Sequence, residues 1–196
     1  DSVVVAASAD EAAAFVTALE TVLDDPQTLV FLTPEAMTPA FGDAVTASGA
    51  SEGRLVTVGR APAETTALTA GEAGDAASAF YAATRMAASD PQCENIYKDD
   101  ACATSIRSAD ATSHDAVVAL VRAAEAAQSS KPARVRAALS ALTVSTGQGL
   151  AVGTLDFRSY EAVPASERRV LRATASDTGL APQSGGAVPT LHWFGQ

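Results

Sequence analysis

The sequence predicts an α/β fold built on a parallel sheet, and three observations carry that expectation. Short uninterrupted runs of β-branched and aliphatic residues recur at residues 3–7 (VVVAA), 28–33 (TLVFLT) and 54–58 (RLVTV). Continuous apolar runs of this length read as strands buried on both faces. Segments of helical period lie between them, and strand–helix–strand alternation implies parallel pairing through right-handed crossovers. Finally, aromatic residues make up only 5% of the 196 residues while 47% are hydrophobic. The core must therefore come mainly from Ala, Val and Leu on closely packed elements.

The first run feeds a helix at Ser8, because Ser8-Ala-Asp-Glu11 has the spacing of a capping box. Ala12, Phe15, Val16, Leu19, Val22 and Leu23 recur at helical spacing, and Asp24, Asp25 and Pro26 stop the helix. The second strand ends in Thr33-Pro34-Glu35, and a short helical segment over residues 41–48 leads to the third. Residues 61–74, rich in Ala, Thr, Gly and Pro without clear period, read as a connection with a change of layer. An alanine-rich helix over 75–89 and an acidic loop over 90–112 come next. The helix that begins near Ser113 shows one apolar stripe of Val117, Leu120, Val121 and Ala124. A further helix starts at Ser130 with Pro132 in its first turn and turns Val135, Ala138, Leu139 and Leu142 inward. Stretches from 150 (LAVGTLDF), 169 (RVLRAT) and 190 (TLHWF) read as strands between Gly, Pro and Ser loops, and there is no internal repeat.

Charge narrows the range of partners. With 13 Lys+Arg against 23 Asp+Glu the formal charge is −10, which repels phosphate backbones and anionic headgroups. Nucleic acid is not an expected partner. No apolar run reaches the ~18 to 20 residues that span a bilayer, since Asp10 and Glu11 interrupt the longest alanine-rich stretch. The chain opens DSVVVAAS, without an initiator Met or a signal peptide, and the expectation is of a processed boundary with a segment removed upstream.

The two cysteines, Cys93 and Cys102, enclose eight residues, a spacing that a short disulfide loop closes. A bridge implies an oxidising compartment, whereas two free thiols would fit a cytosolic loop. Zinc is not expected, because two cysteines without a neighbouring histidine do not supply four ligands.

Several weak matches occur in a fixed order. FLTPEAMTPAFGDAVTASGASEGRLVTVGRAP from residue 31 has a strand ending in a Pro-Glu turn, a short helix and an EG-hydrophobic-V strand. SHDAVVALVRAAEAAQSSKPARVRAALSAL from 113 is a Tyr-Asp-Ala-Val-like helix followed by one of Pro-x-x-Val-x-x-Ala-Leu type. LAVGTLDFR from 150 sits where a glycine-containing hairpin follows. In this order the chain resembles the C-terminal half of the type I periplasmic solute-binding proteins of the branched-chain amino acid receptor family, over about residues 1–160. The resemblance implies an incomplete three-layer parallel-sheet lobe of that kind, with extra helices and C-terminal strands. Residues 1–60 would be a βαβ part of the second ligand-binding lobe. Residues 61–160 would be a connection with helices packing as in the first lobe, and 161–196 a crossing segment with strands. It further implies an extracytoplasmic, periplasmic or cell-surface protein, lipid-anchored or not, that binds a small polar or aliphatic solute and delivers it to membrane transporter subunits.

The candidate binding residues stand at strand ends, where open parallel sheets hold ligands. Glu35 resembles the family position that holds the α-amino group of a bound amino acid; its other reading is an acid favoured by the dipole in the first turn of the next helix. Ser8 and Thr33 are the other ligand candidates, Ser8 already having a capping role. Ser113, His114 and Asp115 suggest catalysis, but neighbours on a helix point about 100° apart, so the three do not form a relay. His114 falls where the family has a Tyr packed at the lobe boundary, and His192 belongs to a terminal strand. Asp90, Glu94, Asp99 and Asp100 lack the alternating ligands and central Gly of a calcium loop and read as a solvated face.

No cofactor, metal or catalytic residue is expected, and the expected function is solute binding rather than catalysis. The competing function is a sensor or protein-interaction domain that kept the fold and lost the ligand. Since the family's opening section has no counterpart here, the chain should expose sheet edges and apolar faces. It is expected to form a homo-oligomer or to pair with the missing N-terminal half.

Overall fold

A computed structural model of the chain describes residues 2–22, 28–47, 53–106, 109–176, 180 and 190–195. In chain order the elements are β1 (Ser2–Val5), α1 (Ala9–Glu20), β2 (Leu29–Leu32), α2 (Pro39–Ala47) and β3 (Leu55–Arg60). Then come α3 (Ala63–Thr66), α4 (Glu72–Ser89), α5 (Cys102–Ser105), α6 (Ala111–Ala127) and α7 (Pro132–Leu139). The last are β4 (Thr143–Ser145), β5 (Thr154–Asp156), β6 (Arg168–Ser176) and β7 (Thr190–Gly195). α1 ends at Glu20 with Thr21 as its cap, ahead of the stop expected at Asp24, Asp25 and Pro26; these three residues and Leu23 lie outside the described residues.

The fold is mixed α/β. Its main sheet runs β1-β2-β3-β6-β7. The first three strands are parallel, with Val3 opposite Val30 and Val30 opposite Leu55. β6 and β7 then add antiparallel neighbours, so the two C-terminal strands join the first sixty residues. Side chains alternate across a strand, and one sheet face turns Val30, Leu55, Leu171 and Trp193 inward. Ala12, Ala13 and Val16 of α1 and Phe41 and Val45 of α2 cover that face, with the Phe41 and Trp193 rings 6.4 Å apart. Burying each large apolar side chain stabilises by about 1.5–3 kcal/mol. The buried hydroxyl of Thr57 donates to the Leu32 carbonyl at 2.9 Å, tying β3 to β2. On the opposite face Val4 (77% exposed), Phe31 (38%), Val58 and Val170 meet solvent.

A second body follows the sheet, formed by α4, α6, α7 and a two-stranded β4–β5 hairpin. Gly71, at a φ of 100°, starts α4 at Glu72, three residues before the expected 75. The connection over 61–74 also contains α3, and the acidic loop contains α5. Asp110 caps α6 by accepting from the Ser113 backbone N–H at 2.8 Å, which moves its start ahead of Ser113. Of the stretch expected as a strand from residue 150, only β5 is extended; Leu150 to Gly153 connect the hairpin.

Two helix faces differ from expectation. In α1, Phe15 is exposed, as is Val22 in the turn beyond its end, and the small Ala12 and Ala13 face the sheet with Val16. In α6, Val117, Leu120 and Val121 point outward while Asp115, Ala119 and Ala123 are buried. At 100° per residue these sets lie on opposite sides of the helix. Ala119 allows close approach to Val144, Leu150 and Leu155, and Asp115 is drawn inward by Arg60 at the end of β3.

Candidate functional site

Parallel pairing of β1 with β2 puts their carboxyl ends side by side, and with them the three candidate residues. Thr33 donates its hydroxyl to the Ala7 carbonyl at 3.3 Å, joining the two strand ends. The Glu11 carboxylate accepts from the Ser8 backbone N–H at 3.2 Å and from its hydroxyl at 2.8 Å; these bonds hold Glu11 below its ordinary pKa. The capping role of Ser8 is therefore real, and its hydroxyl proton is engaged.

Glu35 lies in the first turn of a short 3-10 helix, Pro34–Met37, that follows β2 ahead of α2, the helix-start position of its alternative reading. The Thr33 hydroxyl, followed by its own backbone N–H, holds its carboxyl below the usual range. The result is an exposed carboxylate two residues beyond Thr33, at the end of β2. Such a shelf can receive an ammonium or amide N–H.

The end of β3 carries a different cluster. The Arg60 guanidinium bonds both the Asp115 carboxylate and the Val152 carbonyl. Asp115, fully buried, also accepts from the backbone N–H of Ala151 at 2.6 Å and of Val152 at 3.4 Å. His114 Nδ1 lies 3.1 Å from its Oδ1. Ser113 turns away and donates its hydroxyl to Asp110 at 2.6 Å, so the three neighbours form no relay, although His114 and Asp115 do meet. The contact with Arg60, 55 residues earlier in the chain, leaves no trace in the local sequence.

His192 lies in β7 as expected, buried and 2.8 Å from Glu64. Close by, burial above all, and then the Glu64 and Asp110 carboxylates, push the Tyr81 hydroxyl well above its ordinary pKa.

Cys93 and Cys102 are joined as a disulfide. The Cys102 N–H donates to the Cys93 carbonyl at 2.9 Å inside the loop that the bridge closes. The acids of this region hold turns: Asp90 accepts from the Gln92 N–H, Asp99 from the Asn95 amide and Asp100 from the Ala101 N–H. Among the described residues no group of three or more His, Cys, Asp or Glu is placed to hold a metal ion, and no helix is long and apolar enough to cross a membrane.

Two concavities lie away from the strand-end shelf. A groove of about 510 Å³ runs between α4 and residues 146–151, with His114 at the start of α6 beside it, lined by Ala79, Phe80, Ala83, His114 and Leu150 among others. A smaller one of about 230 Å³ follows α6 past Val117, Val121 and Arg122. Neither is lined by Ser8, Thr33 or Glu35. Comparison with protein-family models, with curated proteins and with solved structures returns no match for this chain.

Proposed function

We propose that the chain is an extracytoplasmic solute-binding module in which Ser8, Thr33 and Glu35 form one wall of the site. The observation that carries this reading is their convergence on the carboxyl edge of two adjacent parallel strands, whose ends the Thr33–Ala7 hydrogen bond joins. Open α/β sheets bind ligands at that edge. The solute class is small, polar or aliphatic, with an ammonium or amide group to meet Glu35. The order of weak matches to the type I solute-binding proteins supports the same class, with membrane transporter subunits as downstream partners. A three-layer lobe then requires a further layer over Val4 and Phe31, and closure of an opposing surface over the shelf completes the site. The disulfide supports an oxidising compartment.

Thermal unfolding against a panel of aliphatic amino acids and small amides tests this reading. A ligand at 100 times its Kd adds about 2.7 kcal/mol to stability. The midpoint is expected to rise for at least one compound, and Glu35→Gln is expected to remove the rise while Glu11→Gln retains it. Absence of any rise favours a second reading, a protein-interaction domain that has the fold without a ligand. Exposed Val4, Phe31, Val58 and Val170 on one sheet face support that alternative, since contiguous apolar patches mark interaction surfaces.

A further inference from the structure

The groove between α4 and residues 146–151 takes no part in the shelf at Glu35, yet it combines three features of a ligand site. Its volume of about 510 Å³ falls in the range typical of small-molecule pockets. Ala76, Ala79 and Ala83 of α4 give it a flat apolar wall, with Leu150 and Ile106 also lining it. His114 is the one ionisable side chain among the lining residues.

The polar groups around the groove are arranged so that one of them faces it. The Thr84 hydroxyl donates to the Tyr81 carbonyl at 2.9 Å and the Thr146 hydroxyl to Glu72 at 3.0 Å, so both protons are engaged. An ionised carboxylate can only accept hydrogen bonds. The contact with Asp115 therefore places a proton on His114 Nδ1. Nε2 has no hydrogen-bond partner among the described residues, and in the neutral ring it presents a lone pair. The ring is fixed in this pose by Asp115 on one side and by an edge contact with Phe80, centroids 5.2 Å apart, on the other. Asp115 is in turn fixed by Arg60 and two backbone N–H groups. A buried ion pair adds little net stability by itself; here it locks an acceptor at the side of an apolar groove, and such pre-organisation lowers the entropy lost on binding.

We propose that this groove binds a small apolar molecule bearing one hydrogen-bond donor, of the phenol or alicyclic alcohol class. Its hydroxyl donates to His114 Nε2, and its ring lies on the alanine wall beside Phe80. This site is separate from the shelf and does not depend on the solute-binding reading.

NMR titration tests it, with phenol, cyclohexanol and benzoate as probes and the His114 ring nitrogens and the Ala79 and Ala83 methyl groups as reporters. Phenol and cyclohexanol are expected to shift these signals saturably at neutral pH, and benzoate much less. Ala79→Trp, which fills the groove, is expected to abolish the saturable shifts, and Glu35→Gln to leave them intact. His114→Phe keeps the packing against Phe80 and removes the acceptor, and is expected to weaken binding of both alcohols about tenfold. The proposal is overturned if neither alcohol gives saturable shifts, if Ala79→Trp, folded by its amide spectrum, binds as well as the parent, or if His114→Phe retains full affinity. Tighter binding of benzoate than of phenol would overturn the donor chemistry and make His114 an anion contact.

Discussion

The sheet region and the helical region of this chain are held together by different means. In the sheet region, large side chains from distant strands and helices meet, with Phe41, Leu55, Leu171 and Trp193 at the centre. In the helical region the helices mostly bury small residues, Ala77, Ala119 and Ala123, against Phe80 and the hairpin residues Val144, Leu150 and Leu155, and α6 is oriented by the buried pair of Asp115 and Arg60. The first arrangement draws its strength from apolar area. The second combines smaller apolar clusters with a buried polar contact that sets the orientation of α6. Substitutions should therefore act through volume in one region and through charge in the other.

The largest effect is expected for Phe41→Ala, which empties the space beside Trp193 and should cost about 3–5 kcal/mol in urea unfolding. Phe41→Leu should recover a good part of it. Asp115→Ala is expected to cost about 3 kcal/mol or more, because Arg60 is left buried without its carboxylate. The double variant Arg60→Met with Asp115→Leu should recover much of that loss. If Asp115→Ala proves harmless while Ala123→Gly costs more than the ~1 kcal/mol of its helix propensity, the contrast drawn between the regions is wrong.

Smaller effects follow at the periphery. Replacing Cys93 and Cys102 together by Ser reopens the loop and should lower stability by about 2–3 kcal/mol, read as a shift in the denaturation midpoint that added reductant reproduces in the parent. The smallest effect concerns pH. The hydrogen bonds and charge of Arg158 hold the Asp156 carboxyl far below its ordinary range. A carboxyl depressed in the folded state contributes stability that is present above its unfolded pKa, near 4, and is lost as pH falls through the folded value. Asp156→Asn should therefore flatten the loss of stability on acidification below about pH 4, and leave the neutral-pH slope unchanged.

The strands and helices of the first sixty residues are legible because each strand is a run of β-branched residues and Ser8 with Glu11 marks the first helix. The adjacency of Ser8, Thr33 and Glu35 also follows, since parallel neighbours share a carboxyl edge. The orientation of α6 is not legible. A helical wheel weighted by size picks Val117, Leu120 and Val121, whereas the structure buries Asp115, whose partner lies on β3. β4 is three residues of mixed polarity, TVS, too short to show a period. The groove at His114 is built by small residues from separate segments, and its sole local signal, the Ser113-His114-Asp115 run, reads as a failed relay.

One consequence of the strand order concerns how copies of the chain could add to one another. Among the described strands β1 and β7 end the sheet, and β1 is the short uncharged segment SVVV, with a row of backbone donors and acceptors on its outer side. Joining β1 to β1 about a two-fold axis uses up both such rows at once and closes at two chains. Joining β1 to β7 leaves one row open at each end, so every addition recreates the surface that permitted it, and growth has no built-in limit. The choice between a finite pair and an open filament thus rests on which edge meets β1, and a single Lys in place of Val4 would bias both outcomes toward the separate chain.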